Sequence, residues 1–147
     1  MKLVYTGKTK NVYLLENGNY LLKFKDTVTG HIGGEKDPGG NAVVGTEEGV
    51  GSSALKVTTY YFEKLKALGI PTHYVSSDLE KCEMVVKPAK MFGKGLEFVV
   101  RYAAYGSFIR RFGLYIEQGA PLPEIFEVTL KDDERNDPPA TREILAA

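Results

Sequence analysis

The chain has 147 residues, 43% of them hydrophobic, which suits one ordinary domain or a small lobe with part of a second. Its 19 Lys+Arg balance 19 Asp+Glu, and a net charge of zero argues against a nucleic-acid coat, whose affinity rests on a net field. A lone cysteine, Cys82, excludes an internal disulfide, and no apolar run approaches the ~18 residues of a membrane helix, so a soluble, cytoplasmic protein is expected.

The first 25 residues read as an antiparallel meander. Lys2–Tyr5 and Asn11–Leu15 are predicted strands, joined by the glycine turn Thr6-Gly7-Lys8-Thr9-Lys10. Glu16-Asn17-Gly18-Asn19 carries an Asn-Gly hairpin signal, in which both residues tolerate positive φ. Tyr20–Phe24 returns as a third strand. Residues 26–51 hold eight glycines and read as one long loop. A helix follows, capped by Ser52 or Ser53, with Leu55, Thr58, Phe62, Leu65 and Leu68 on one face. Gly69 supplies its C′ position and Pro71 forbids continuation.

Strand signals resume at Thr72–Val75, Glu83–Val86 and Glu97–Tyr102. Gly106-Ser107 opens a short helix over Phe108–Phe112, closed by Gly113, and Ile125–Leu130 alternates as another strand. After the polar stretch Lys131–Pro139, Thr141 caps a helix start at Arg142. The chain stops far short of a typical ~11-residue helix, so a fragment of a longer protein is expected. The Tyr and Phe residues, spread through the strands, are expected in the core.

The charge balance conceals local asymmetry. Residues 1–25 hold five lysines against Glu16, and residues 80–111 hold seven basic residues against three acidic ones. Residues 124–137 hold six acidic residues against two basic ones. Such segments could frame a phosphorylated ligand and a cation, or be a mixed solvated surface. Gly7-Lys8-Thr9 fails as a P-loop, because Lys2 stands where the first glycine belongs and a strand follows. The basic turn could still lay N–H groups and ammonium charges over a polyphosphate, or be an ordinary hairpin with solvated lysines.

Glu97, Val99 and Arg101 alternate, so Glu97 and Arg101 share a strand face. Arg101 next to the Gly106-Ser107 helix start, with Arg110 and Arg111 near, suits a phosphate monoester; a surface ion pair and a serine N-cap are the alternative. Lys131-Asp132-Asp133 and Asp137-Pro138 suit Mg²⁺-phosphate handling or a polar turn. His31, His73 and Cys82 have no metal-ligand spacing.

Together the stretches Gly7–Tyr13, Phe24–Asp26, Gly69–His73, Glu97–Tyr102, Gly106-Ser107, Leu130–Asp133 and Asp137-Pro138 resemble the SAICAR synthetase family of purine biosynthesis. The loop Asp37–Asn41 is similar to one bacterial subgroup. The resemblance implies an α+β, ATP-grasp-like fold. A β-rich nucleotide-clamping lobe with one long helix would span 1–86, and an incomplete α/β substrate and ATP lobe 87–147. It implies ATP-dependent ligation of L-aspartate to the carboxylate of the ribotide CAIR, giving SAICAR, ADP and phosphate. The alternative is a non-catalytic nucleotide-binding remnant.

Carried over residue by residue, the resemblance implies ATP contacts at Gly7, Lys8, Thr9, Lys10, Val12, Val86, Lys87, Lys131 and Asp133. Glu97, Arg101, Ser107 and Asp137 would meet the substrates, with Arg101 and Ser107 gripping the ribotide phosphate. ATP and Mg²⁺ are the implied cofactors, with CAIR, L-aspartate and ATP as small-molecule partners and neither nucleic acid nor membrane. Family members continue past the Asp-Pro motif with a long helix, an Asp-Glu motif for Mg²⁺ and a further arginine. No catalytic residue or metal ligand is therefore assigned, and the exposed sheet edge left by the missing part predicts a homo-oligomer.

Overall fold

The computed structural model describes residues 1–30, 33, 42–135 and 137–146, with the backbone alone for Asp133. His31 and the Asp37–Asn41 loop lie outside the described residues. The chain divides into two compact units, Met1–Ala89 and Lys90–Ala147.

The first unit is built on an antiparallel sheet of strand order β1-β2-β3-β7-β6. Its members are β1 (Lys2–Thr6), β2 (Lys10–Leu14), β3 (Tyr20–Phe24), β6 (Tyr74–Asp78) and β7 (Glu83–Val86), with β4 (Thr27–Gly30) and β5 (Ala42–Thr46) pairing separately as a hairpin. In the Asn-Gly turn only Gly18 takes positive φ (81°), closing the turn by donating its N–H to Leu15 O at 3.1 Å. Period-two alternation puts Tyr20, Leu22 and Phe24 on one face of β3, and the register places Met84 beside Leu22 and Val86 beside Tyr20. Helix α1 (Val50–Ala67) covers this face. Leu55 closes a core with Phe24, Tyr74, Met84 and Val86, and Phe62 stacks on the Tyr74 ring at 5.3 Å.

Two expectations for this stretch need correction. The long loop is partly the β4–β5 hairpin, because Thr27-Val28-Thr29 and Val43-Val44 are β-branched and suit a pleated surface. Helix α1 also starts earlier, at Val50 after Gly49 (φ 85°), with no side-chain cap from a neighbour in sequence. Instead Asp26 Oδ1 accepts the Gly51 N–H at 2.9 Å, satisfying a first-turn donor from a distant part of the chain. The other end follows the sequence. Gly69 (φ 70°) donates to Lys66 O at 3.0 Å and Ile70 to Leu65 O at 3.0 Å, the paired bonds of a Schellman stop.

Gly51 yields a stability prediction. Alanine in a helix ordinarily gains ~1 kcal/mol over glycine. Here a Cβ would lie 2.9 Å from Lys25 C and O, both backbone atoms. Gly51→Ala is therefore expected to destabilise by about 1–3 kcal/mol, read as a lowered denaturant midpoint by circular dichroism. A raised midpoint would contradict this close approach of α1 to Lys25.

The second unit centres on the antiparallel ribbon of β8 (Leu96–Ala103) and β9 (Pro121–Leu130), with α2 (Ser107–Phe112) between them. Strand β9 begins before the expected Ile125. Arg101 pairs with Ile125 and Ala103 with Pro121, so Pro123 falls in an irregularity that needs no ladder donor. A short 3₁₀ turn at Asp133–Arg135 and helix α3 (Arg142–Ala146) follow, and Thr141 Oγ1 accepts the Ile144 N–H at 3.4 Å.

Strand β6 likewise begins at Tyr74, two residues later than expected. The aromatic residues differ more. Only Phe24 and Tyr74 are buried, while Tyr5, Tyr60, Tyr61, Phe98, Tyr102 and Phe126 are exposed. Phe98, Val100, Tyr102 and Phe126 share the β8–β9 face opposite Arg101, and that face is uncovered among the described residues. No helix among the described residues is long and apolar enough to cross a membrane.

Candidate functional site

The first unit carries the lysine turn between β1 and β2. Gly7 N–H donates to Lys10 O at 2.8 Å, which tightens the turn. The turn's other carbonyls are tied down from outside. Lys25 Nζ donates to Gly7 O at 2.8 Å, Thr27 Oγ1 to Lys8 O at 2.6 Å, and Lys25 N–H to Thr9 O at 2.9 Å. Lys25 and Asp26 thus brace the turn and anchor α1. These roles were not legible from their place in a matched motif. Lys10 Nζ sits 4.7 Å above the Phe24 ring, and burial pushes its pKa below the ordinary lysine value of 10.5.

The other nucleotide residues expected here lie on β2 and β7. Val12 sits mid-strand, paired with Leu22 and Tyr5. Val86 is a core residue, and the exposed Lys87 follows it, its N–H bonded to His73 O at 2.7 Å.

In the second unit the register puts Glu97, Val99, Arg101, Ile125, Glu127 and Thr129 on one ribbon face. At one end Arg101 meets α2. Its Nη2 donates to Ser107 Oγ at 2.7 Å, Nη1 to Tyr105 O at 3.1 Å, and Nε to Glu127 Oε2 at 2.5 Å. The two charged side chains are 13% and 16% exposed. Arg111 joins from the last turn of α2, donating Nη2 to Glu127 Oε1 at 3.1 Å and Nε to Ser107 O at 3.2 Å. Ser107 is the first residue of α2 and Gly106 its N-cap, so the serine hydroxyl faces Arg101 instead of capping the helix.

An arginine carries five N–H donors, and two of those on Arg101 have no partner among the described residues. Ser107 Oγ accepts from Arg101, which leaves its own O–H to donate. Guanidinium and hydroxyl donors side by side suit a phosphate monoester.

At the other end Lys131 Nζ bridges Glu97 Oε1 at 3.3 Å and Asp137 Oδ1 at 3.2 Å. Asp137 (φ 48°) also accepts the Asp132 N–H at 2.8 Å, which ties these two residues together. Glu97, Lys131 and Asp137 are thus brought together. The Asp133 side chain lies outside the described atoms. Phe92–Gly95 and Leu130–Asp132 line an adjoining cavity of about 290 Å³.

No group of three His, Cys, Asp or Glu among the described residues could hold a metal ion. Asp132 supplies one candidate ligand. Its Oδ2 takes Arg135 Nη1 at 2.6 Å, while Oδ1 is buried without a partner among the described residues. The Arg135 hydrogen bond holds the Asp132 carboxyl below the usual carboxylate range, keeping it ionised. A single oxygen of this kind fits Mg²⁺ arriving on a polyphosphate, because Mg²⁺ keeps several waters and takes one or two carboxylates.

Comparison with known proteins decides the family. The family model for SAICAR synthetase matches residues 3–147. The chain belongs to the SAICAR synthetase family. A phosphoribosylaminoimidazole-succinocarboxamide synthase from Clostridium tetani is 58% identical over 145 residues, covering 99% of this chain and 63% of that protein. The chain therefore spans less than two thirds of that relative's length.

Among solved structures of the family, a SAICAR synthetase in complex with ADP superposes with a TM-score of 0.76 at 26% identity, covering 97% of this chain and 56% of that one. The synthase from Ehrlichia chaffeensis gives 0.74 at 27% identity, covering 98% and 56%. The mixed, β-rich α/β architecture is that of the family.

Proposed function

We propose that this chain carries the ATP-phosphate and ribotide-phosphate contacts of a ligase that joins L-aspartate to CAIR, giving SAICAR, ADP and phosphate. The carrying observation is the Arg101–Ser107–Glu127–Arg111 cluster, a preformed anion receptor in a chain matched to the family over nearly its whole length. Its spare donors hold the ribotide phosphate.

The lysine turn, with Gly7, Lys8, Thr9 and Lys10, takes the ATP phosphates, and Val12, Val86 and Lys87 line the base. Lys131 and Asp133 face the nucleotide, and Glu97 and Asp137 the substrates. Asp132 would hold part of a Mg²⁺ ion that arrives with the nucleotide and would neutralise polyphosphate charge there. The reaction follows from the electrophile problem. A carboxylate resists an amine, so its oxygen first attacks the γ-phosphorus and ADP leaves. The aspartate nitrogen then attacks the acyl carbon, the carbon–oxygen bond to phosphate breaks, and the amine loses a proton.

A second reading is a non-catalytic nucleotide-binding module, which would bind both ligands without turning them over. Incubation with CAIR, aspartate and Mg·ATP separates the two. ADP release with SAICAR formation supports the ligase; binding of both ligands without SAICAR supports the module. A cytoplasmic location and a homo-oligomer belong to the same proposal, and a clean monomer by sedimentation would refute the latter.

Lys10 gives a pH prediction. Its burial lowers the ammonium pKa, and a phosphate oxyanion beside it would raise that pKa again. At pH values between this lowered pKa and the raised pKa of the complex, ATP binding is therefore expected to take up protons and to weaken as pH rises. Calorimetry in two buffers of different ionisation heat measures this, and Lys10→Met should abolish the uptake. Uptake unaltered in Lys10→Met would place the ATP phosphates elsewhere.

A further inference from the structure

We propose that Glu127 is a positioning residue of the phosphate site, holding Arg101 and Arg111 as one paired receptor for a phosphate monoester. The inference rests on the reading of Arg101 and Ser107 as the ribotide-phosphate contacts.

Both Glu127 oxygens are engaged, Oε2 by Arg101 Nε and Oε1 by Arg111 Nη2. One carboxylate thus fixes two guanidinium groups that come from different elements, β8 and α2. Two like charges brought this close repel each other, and a carboxylate between them offsets that cost. Arg111 is further steadied by Ser107 O, the backbone of the residue whose hydroxyl takes Arg101. Ser107 therefore touches both arginines, through its hydroxyl and its backbone carbonyl, and the four residues form one closed network.

The donor geometry gives this network a direction. Glu127 takes the Nε of Arg101, and Tyr105 O and Ser107 Oγ each take one terminal N–H. One hydrogen on each terminal nitrogen remains to donate to phosphate oxygens. A free arginine would lose side-chain rotamer freedom on binding; here that freedom is already lost before the ligand arrives.

A competing possibility is that Glu127 is only a rival anion that a phosphate must overcome. Removing it would then strengthen binding. The two ideas predict opposite signs, so one variant decides between them.

CAIR and its dephosphorylated ribonucleoside are titrated into the full chain and into Glu127→Gln, Arg101→Ala and the double variant. Glu127→Gln is expected to weaken CAIR about tenfold while leaving the ribonucleoside and Mg·ATP unchanged. In the Arg101→Ala background the same substitution should cost much less, because its effect runs through that arginine. CAIR binding unchanged or strengthened in Glu127→Gln, with Arg101→Ala weakened, overturns the positioning role alone. CAIR binding unaffected by Arg101→Ala overturns the site reading itself.

Should Glu127→Gln fail to fold, the wild-type chain still tests the inference. The Arg101 Nε–H resonance is expected to exchange slowly with solvent, and the Arg111 resonance to shift with that of Arg101 on adding CAIR. A rapidly exchanging Arg101 signal, or an Arg111 signal blind to CAIR, would overturn it.

Discussion

Arg101→Ala is expected to weaken CAIR binding by about tenfold to a hundredfold and to leave Mg·ATP binding within about twofold of wild type. Charge-assisted hydrogen bonds are worth ~1.5–3 kcal/mol, and each 1.4 kcal/mol is about a factor of ten. The substitution removes three observed bonds, to Glu127, Tyr105 O and Ser107, together with the two spare donors assigned to phosphate. It also leaves the Glu127 carboxylate with Arg111 alone, so part of the loss reflects a disturbed receptor. Arginine to lysine is expected to restore little, since a point charge cannot reproduce the fork. Titration calorimetry with each ligand reads the effect, and equal losses for both would show that the two phosphate subsites are wrongly divided.

Leu55→Ala carries the largest expected stability effect. Leu55 is 0% exposed and Met84, its neighbour in the core, 1%. Truncating a fully buried leucine costs about 2–5 kcal/mol, through lost transfer energy and the cavity left behind. Leu55 is the contact by which α1 seals the β3–β7 face, and α1 begins on Asp26, next to the Lys25 that braces the lysine turn. Fewer folded molecules would then hold the turn, so apparent ATP affinity should fall with stability. Urea unfolding followed by circular dichroism measures it, tryptophan being absent from the sequence. A loss below about 1 kcal/mol would mean that this cluster is not packed as a core.

Where the controlling signal is local, the sequence carries it. The end of α1 was legible because Gly69, Ile70 and Pro71 hold both the left-handed residue and the stop. The limits of β3 and β7 were legible from short apolar stretches, with the Asn-Gly turn marking the start of β3. The start of α1 was not, because its donor is satisfied by Asp26, 25 residues earlier. The β4–β5 hairpin was obscured by glycine count, although Thr27–Thr29 and Val43-Val44 carry β-branched side chains.

The site divides along the same line. Arg101 and Glu97 on one face follow from a strand's period of two, and Ser107 from its place after a glycine turn. Glu127 sits on a strand that was recognised, yet its meeting with Arg101 depends on the β8–β9 register, Val99 opposite Glu127. Nothing in one sequence fixes that register when an irregularity intervenes near Ala103. The exposed aromatic face of the ribbon had no sequence signal either, since buried and uncovered alternating strands share one pattern.

Under the proposed function two phosphate-binding sites coexist in this chain, one on the lysine turn and one at Arg101. The most direct test is calorimetric titration of the purified, folded chain with Mg·ATP, with CAIR, and with each in the presence of the other. Each ligand is expected to bind alone, and saturation with one is expected to leave the other able to bind. Mutual exclusion, or no heat from either ligand in a folded sample, would contradict it.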